Sequence, residues 1–199
     1  MFTLNQLNAI MPVAAKAGRT ALFYDDLLKY MQEYDINTLE RMACFLATIA
    51  VESGELRYTR ELWGPTDAQK RYTGRGGNLT DADSFAYRGA GLIQITFKDG
   101  FKAAGTALNL DLINHPELLG QPEYATLSAC WWWWKNGCNE LADGNNPIEK
   151  TSKRVNVGNA NSSVTPNGWT ERQAYYNTAI KILSHPDFSN VESGSSFSE

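Results

Sequence analysis

The sequence predicts a mainly α-helical fold. Apolar residues recur at helical spacing along most of the chain, polar capping residues and glycines sit at the ends of those stretches, and the one segment with strand character, "YRGAGLIQIT", is short. A length of 199 residues suits one large domain or two lobes around a cleft. With 43% hydrophobic and 20% charged residues the chain can bury a sizeable core.

The elements follow in order. Thr3 to Met11 reads as a short helix capped by Thr3 and stopped near Pro12. In "RTALFYDDLLKYMQEYD" the apolar positions Leu22, Phe23, Leu27, Leu28 and Met31 have a helical period. "INTLERMACFLATIAVES" is the clearest helix. Asn37 with Glu40 fits a capping pattern, Leu39, Met42, Phe45, Leu46, Ile49 and Ala50 form the stripe, and the end falls near Ser53 and Gly54. Glu52 is thereby placed in the last turn. From Glu55 to Ala86 the pattern is weak, and Gly74, Gly76 and Gly77 suggest an irregular, mobile segment. "YRGAGLIQIT" reads as a strand or an extended turn. "TFKDGFKAAGTAL" and "PEYATLSACWWWWKNG" read as helices, the second closed by Gly137. Thr170 with Gln173 fits a capping box that opens "ERQAYYNTAIKIL". Residues 1–186 are expected to form one domain, and 187–199 a polar tail without fixed structure.

Composition limits the function. A formal charge of −4 gives no reason to expect nucleic acid or an anionic membrane as partner. No segment reaches the ~18 apolar residues of a membrane span. The N-terminal stretch has no basic n-region, so no signal peptide is read there, and synthesis in the cytoplasm is expected. The aromatic residues, with six Trp and nine Tyr, serve either core packing or sugar stacking. Trp131 to Trp134 are successive on a helix, about 100° apart, so they cannot all face one cleft. Cys44 reads as a buried thiol. Cys130 and Cys138 are read as free thiols, although in an oxidising compartment they could pair.

Elimination leaves carboxylate chemistry. The two histidines, His115 and His185, fall in no ligand-spaced motif, and no nucleophile elbow, P-loop or dinucleotide fingerprint occurs. No metal or cofactor is expected. Glycoside hydrolysis needs a protonated acid and a second carboxylate in a different setting. Glu52, beside Ala50 and Val51 at a helix C-terminus, suits the acid, because apolar surroundings and the helix dipole both disfavour its charge. Glu61 follows at 61 − 52 = 9 residues, in a more polar stretch. The plainer alternative makes Glu52 a helix-end residue in a surface salt bridge.

"ATIAVESGELRYTREL", "YRGAGLIQIT", "NHPELLGQPEYATLSACWWWWKNGC", "TSKRVNVGNAN" and "ERQAYY" follow in order the pattern of glycoside hydrolase family 19. Over residues 37–184 the chain resembles the phage endolysins of that family more than the plant chitinases. The resemblance implies a lysozyme-like, two-lobed helical fold with a central glycan-binding cleft, and an inverting mechanism. It implies Glu52 as general acid, Glu61 as general base, and Thr96 as a hydroxyl that holds the attacking water. It implies contacts to substrate from Gln94, Asn156 and Arg172, and a cleft shaped by Tyr87 and Arg88. Three departures stand out: Val51 in place of a His before the acid, Val157 in place of a motif glycine, and a short segment between Glu61 and Tyr87. Glu55 is read as solvated.

The reading is therefore a monomeric endolysin that cuts the β-1,4 bonds of peptidoglycan glycan strands as a muramidase, reaching the wall after release. A chitinase, or a non-catalytic glycan-binding module of the same fold, are the alternatives. Retention of both Glu52 and Glu61 speaks against the module, since binding does not require both.

Overall fold

The structure, a computed structural model, describes residues 1–185. The expected tail at 187–199 lies outside the described residues. α1 (Leu4–Ile10) and α2 (Pro12–Lys16) pack with α3 (Arg19–Glu33). α4 (Leu39–Glu52) lies along α11 (Trp169–Leu183), and α3 lies against α8 (Pro122–Lys135). With α9 (Cys138–Ala142) and α10 (Pro147–Val157) they enclose a first core around Phe45, Leu46, Trp133 and Ile182. A second, smaller core gathers Tyr87, Ala90, Ile95, Phe101, Leu112, Leu119 and Trp131. It is built by α7 (Lys98–Leu108), the turn before it and the loop beyond it. The mainly helical, two-lobed expectation holds.

α8 joins the lobes. Trp133 is packed against Phe45 in the first core, while Trp131 belongs to the second. Trp132 is half-buried and Trp134 is 53% exposed. The four indoles thus point in different directions, as the 100° step requires.

Local differences from expectation have physical causes. Thr3 does cap α1, with a capping box to Gln6. The cap of α4 is Thr38, not Asn37: its hydroxyl accepts from Arg41 N, and two neighbouring cap formers leave the start ambiguous by one residue. α11 begins on Gly168 in the left-handed region, ahead of Thr170, so the Thr170–Gln173 box does not form. Leu22, counted on the apolar face of α3, is exposed. The weakly patterned segment holds two short helices, α5 (Asp67–Lys70) and α6 (Asp81–Ala86), each started by a threonine capping box. "YRGAGLIQIT" is a tight turn closed by the antiparallel bridge Ala90–Ile95, not a strand. Cys44, Cys130 and Cys138 are free and buried, and burial pushes the thiols of Cys44 and Cys138 up to about 12.

The exit from α4 sets the position of everything after it. Gly54, Glu55 and Leu56 all have positive φ (58°, 54° and 61°), a left-handed turn that costs L-residues about 1–2 kcal/mol each. Glu55, expected to be solvated, is 5% exposed. Its carboxylate accepts from Ala14 N (2.7 Å) and Tyr175 Oη (2.6 Å), tying the turn to the end of the N-terminal helices and to α11. Burial first, then the bond to Glu55, hold the Tyr175 phenol well above its ordinary range. Leu56 is buried, and its N–H donates to Ser53 Oγ. Glu55→Ala strands a buried N–H and a half-buried phenol and is expected to lower stability by about 3 kcal/mol. Tyr175→Phe should lower it by about 1 kcal/mol. Urea unfolding of both variants checks this, and a Glu55→Ala midpoint equal to wild type would refute the anchor.

Candidate active site

Two clusters of polar side chains flank the left-handed turn. The first is built on Glu61. Its backbone N–H donates to Gly89 O (2.7 Å), pairing the segment to the "YRGAG" turn. Its Oε2 accepts from Gly89 N (3.0 Å), and its Oε1 accepts from Gln69 Nε2 (2.9 Å) and Tyr72 Oη (3.2 Å). Gln69 is itself locked, because its Oε1 accepts from the N–H of Thr66, the residue that caps α5. Burial, then the neighbouring charge of Glu61, raise the Tyr72 phenol, which keeps it a donor. Three donors on one carboxylate fix its orientation.

Gln94 and Thr96 adjoin this cluster. Gln94 has a φ of 60°, and its Nε2 donates to Gly91 O (2.8 Å). Its Oε1 lies against Gly89. A Cβ at Gly89 would stand 2.6 Å from Gln94 Oε1 and 3.4 Å from Glu61 Oε2, so only glycine lets the two side chains approach. Thr96 Oγ1 donates to Gln94 O (2.9 Å), and its lone pairs remain to accept. Gln94 and Thr96 line a cavity of about 310 Å3 together with Trp131, Trp132 and Lys135 of α8 and Val155 of α10.

The second cluster is built on Glu52, the last residue of α4. Its Oε1 accepts from Nη2 of Arg172, which is 1% exposed. Among the described residues its Oε2 accepts from no protein donor. The apolar setting expected for Glu52 is thus replaced by an ion pair with a buried guanidinium. The surface salt bridge of the alternative reading is not this pair, because the cation comes from inside the protein. Arg172 is aimed by Asn167 O, which accepts from its Nε (2.8 Å), and Asn167 N in turn donates to Asn156 Oδ1 (2.8 Å). Asn156 therefore braces the loop that positions Arg172.

Of two predicted cleft residues, Tyr87 turns inward and Arg88 is half-buried. Tyr87 is buried in the second core and donates to Ile113 O (3.0 Å), so it packs a lobe rather than lining a cleft. The Arg88 guanidinium is spent on backbone: Nε donates to Glu61 O (3.0 Å), Nη1 to Phe85 O, and the group lies 4.1 Å over the Phe85 ring. It holds Glu61 from behind. Sequence reasoning missed Gln69, Tyr72 and Asn167. Only Gln69 left a signal, the Thr66–Gln69 spacing of a capping box.

Fold and site together define a class: a two-lobed helical frame carrying two carboxylates in unlike settings, with a separate cavity that an amide and a hydroxyl line. The chain belongs to glycoside hydrolase family 19, whose model, described as chitinase class I, matches residues 44–182. It is 38% identical over 93 residues to a glycosyl hydrolase family 19 domain-containing protein of Haemophilus influenzae, covering 46% of this chain and 44% of that one. It is 32% identical over 121 residues to an Arabidopsis thaliana endochitinase, covering 60% of this chain and 40% of that one. The chain spans less than half the length of these relatives. The fold is similar to that of chitinase C from Streptomyces griseus, with a TM-score of 0.66, 24% identity and 92% of each chain covered.

Arg172 and Glu52 form a buried pair, with side chains 1% and 17% exposed. Removing one partner of such a pair costs about 3–5 kcal/mol. Arg172→Ala is expected to fall in that range, and Arg172→Ala with Glu52→Ala together to cost less than the sum of the single changes. A thermal-denaturation double-mutant cycle measures the coupling, and additivity would remove the pair as a determinant.

Proposed function

We propose that this chain is a glycoside hydrolase of the endolysin type, cleaving the β-1,4 bonds of peptidoglycan glycan strands with inversion. The observation that carries the reading is the unlike handling of the two carboxylates. Glu61 is fixed by three donors. Glu52 is held through one oxygen by Arg172, and its other oxygen accepts from no donor among the described residues.

In this reading Glu52 Oε2 gives its proton to the glycosidic oxygen as the bond from the anomeric carbon breaks. Water attacks that carbon from the opposite face. Glu61 takes one of its protons, and Thr96 Oγ1 or Gln94 Oε1 accepts the hydrogen bond of the other, which fixes the direction of attack. Arg172 then stabilises the carboxylate left on Glu52. Proton exchange with solvent restores both groups.

A second reading takes chitin as substrate with the same carboxylates, favoured by relatives that are named chitinases. Digestion of purified peptidoglycan, with mass spectrometry of the products, separates the readings. New reducing ends on N-acetylmuramic acid are expected. Glu52→Gln should lower the rate by ~10²–10⁴-fold while leaving a folded protein. No product from peptidoglycan alongside cleavage of chitin oligosaccharides would move the substrate to chitin. Activity of folded Glu52→Gln within threefold of wild type would end the proposed role of Glu52.

Direct attack by water has a stereochemical signature. NMR of the first-formed sugar should show the α-anomer from the β-linked substrate, and Thr96→Val should lower kcat more than it raises KM. A β-anomer would mean retention and would strip Thr96 of its role.

A further inference from the structure

The cavity beside Gln94 and Thr96 has an uneven charge. Among its described lining residues Lys135 alone is charged. The others that carry polar side chains are Gln94, Thr96, Asn136 and Trp131 and Trp132, all neutral. Lys135 makes no ion pair with any described residue, and its ammonium rests 4.8 Å from the centroid of the Trp131 ring. Most exposed lysines swing freely through solvent. This one is held at the cavity rim by an aromatic face that attracts a cation without neutralising it. Asn136, the next residue, has its Nδ2 committed to Trp132 O (2.8 Å), which fixes the end of α8 that carries the lysine.

A neutral polymer of N-acetylglucosamine offers nothing for such a charge to pair with. Muramic acid differs from glucosamine by a lactyl ether on its 3-oxygen, and that arm bears carboxylates. On stripped glycan the lactyl carboxylate itself is free. On intact strands the lactyl group is amidated, and the stem peptide supplies the carboxylates. Sugar-contacting amide and hydroxyl groups line the same cavity as Lys135, so a ring seated against Gln94 and Thr96 would bring its substituents within reach of the ammonium.

We propose that Lys135, at the rim of the cavity lined by Gln94 and Thr96, binds a carboxylate carried on the lactyl arm of the substrate and sets a preference for muramic-acid glycans over chitin. The substrate class rests on the peptidoglycan reading above. Trp131 serves as the platform that keeps the ammonium aimed.

The test compares three soluble substrates: peptidoglycan fragments with intact stems, amidase-stripped glycan, and chitin oligosaccharides. Wild type, Lys135→Gln and Lys135→Arg are assayed on each, after thermal melts confirm that the variants fold. Lys135→Gln is expected to reduce the ratio of kcat/KM on carboxylate-bearing glycan to that on chitin by about tenfold, mainly through KM. Lys135→Arg should restore most of it. A loss confined to stripped glycan assigns the lactyl carboxylate, and a loss confined to intact fragments assigns the stem. An unchanged ratio in Lys135→Gln overturns the proposal while leaving the peptidoglycan reading in place. Wild type inert on both peptidoglycan substrates but active on chitin overturns that reading instead. In that event NMR titration with N-acetylmuramic acid and N-acetylglucosamine decides for Lys135. Tighter binding of the muramic acid that is lost in Lys135→Gln supports the carboxylate site, and equal binding of the two sugars refutes it.

Discussion

The bond network around Glu55 is the constraint on which the site depends. α4 ends at Glu52, and Glu61 must pair with Gly89 in the other lobe. The chain makes that change of direction within a left-handed turn that L-residues adopt at a cost. The carboxylate of Glu55 offsets the cost by accepting from Ala14 and Tyr175, and the burial of Leu56 adds to it. Tyr175 stands three positions after Arg172 on α11, so the group that holds the turn and the group that holds Glu52 share one helix face. Anchor and site are mechanically one unit.

The two carboxylates of the site differ in how far their supports lie from them in the chain. Glu61 is served by groups 8, 11 and 28 residues away, all from the second lobe's own segment. Glu52 is served by Arg172, 120 residues away, through a loop braced by Asn156. The local set is rigid and hydrogen-bonded throughout. The distant set leaves Arg172 Nη1 buried without a partner.

The helices were legible because amphipathic period and caps are local signals. α4 and α8 came out of the sequence nearly at their bounds, and both lie in the first core. Helix starts were less legible wherever two cap formers adjoin, as Asn37 and Thr38 do, or where a glycine in the left-handed region replaces the side-chain cap, as at Gly168. Glu55 was misread for a different reason. Its partners are 41 and 120 residues away, so nothing in its own neighbourhood signals burial. The same holds for the Glu52–Arg172 contact, where the residue types were visible but the pairing was not. Tyr87 and Arg88 show the reverse error. A motif marked them, but the Tyr87 hydroxyl donates to Ile113 O in the second core and Arg88 Nε donates to Glu61 O.

α8 is shared by both cores, with Trp131 facing one lobe and Trp133 the other. Two residues along an α-helix turn the side-chain direction by about 200°. That geometry makes the helix intolerant of changes in length. Loss or gain of one residue within it would rotate every later side chain by about 100°, taking Trp133 off Phe45 and Lys135 off the cavity rim at once. Point substitutions can accumulate along α8 one at a time. A one-residue insertion or deletion within it would disturb both cores together, whereas the same change in a flanking loop leaves the helix register intact.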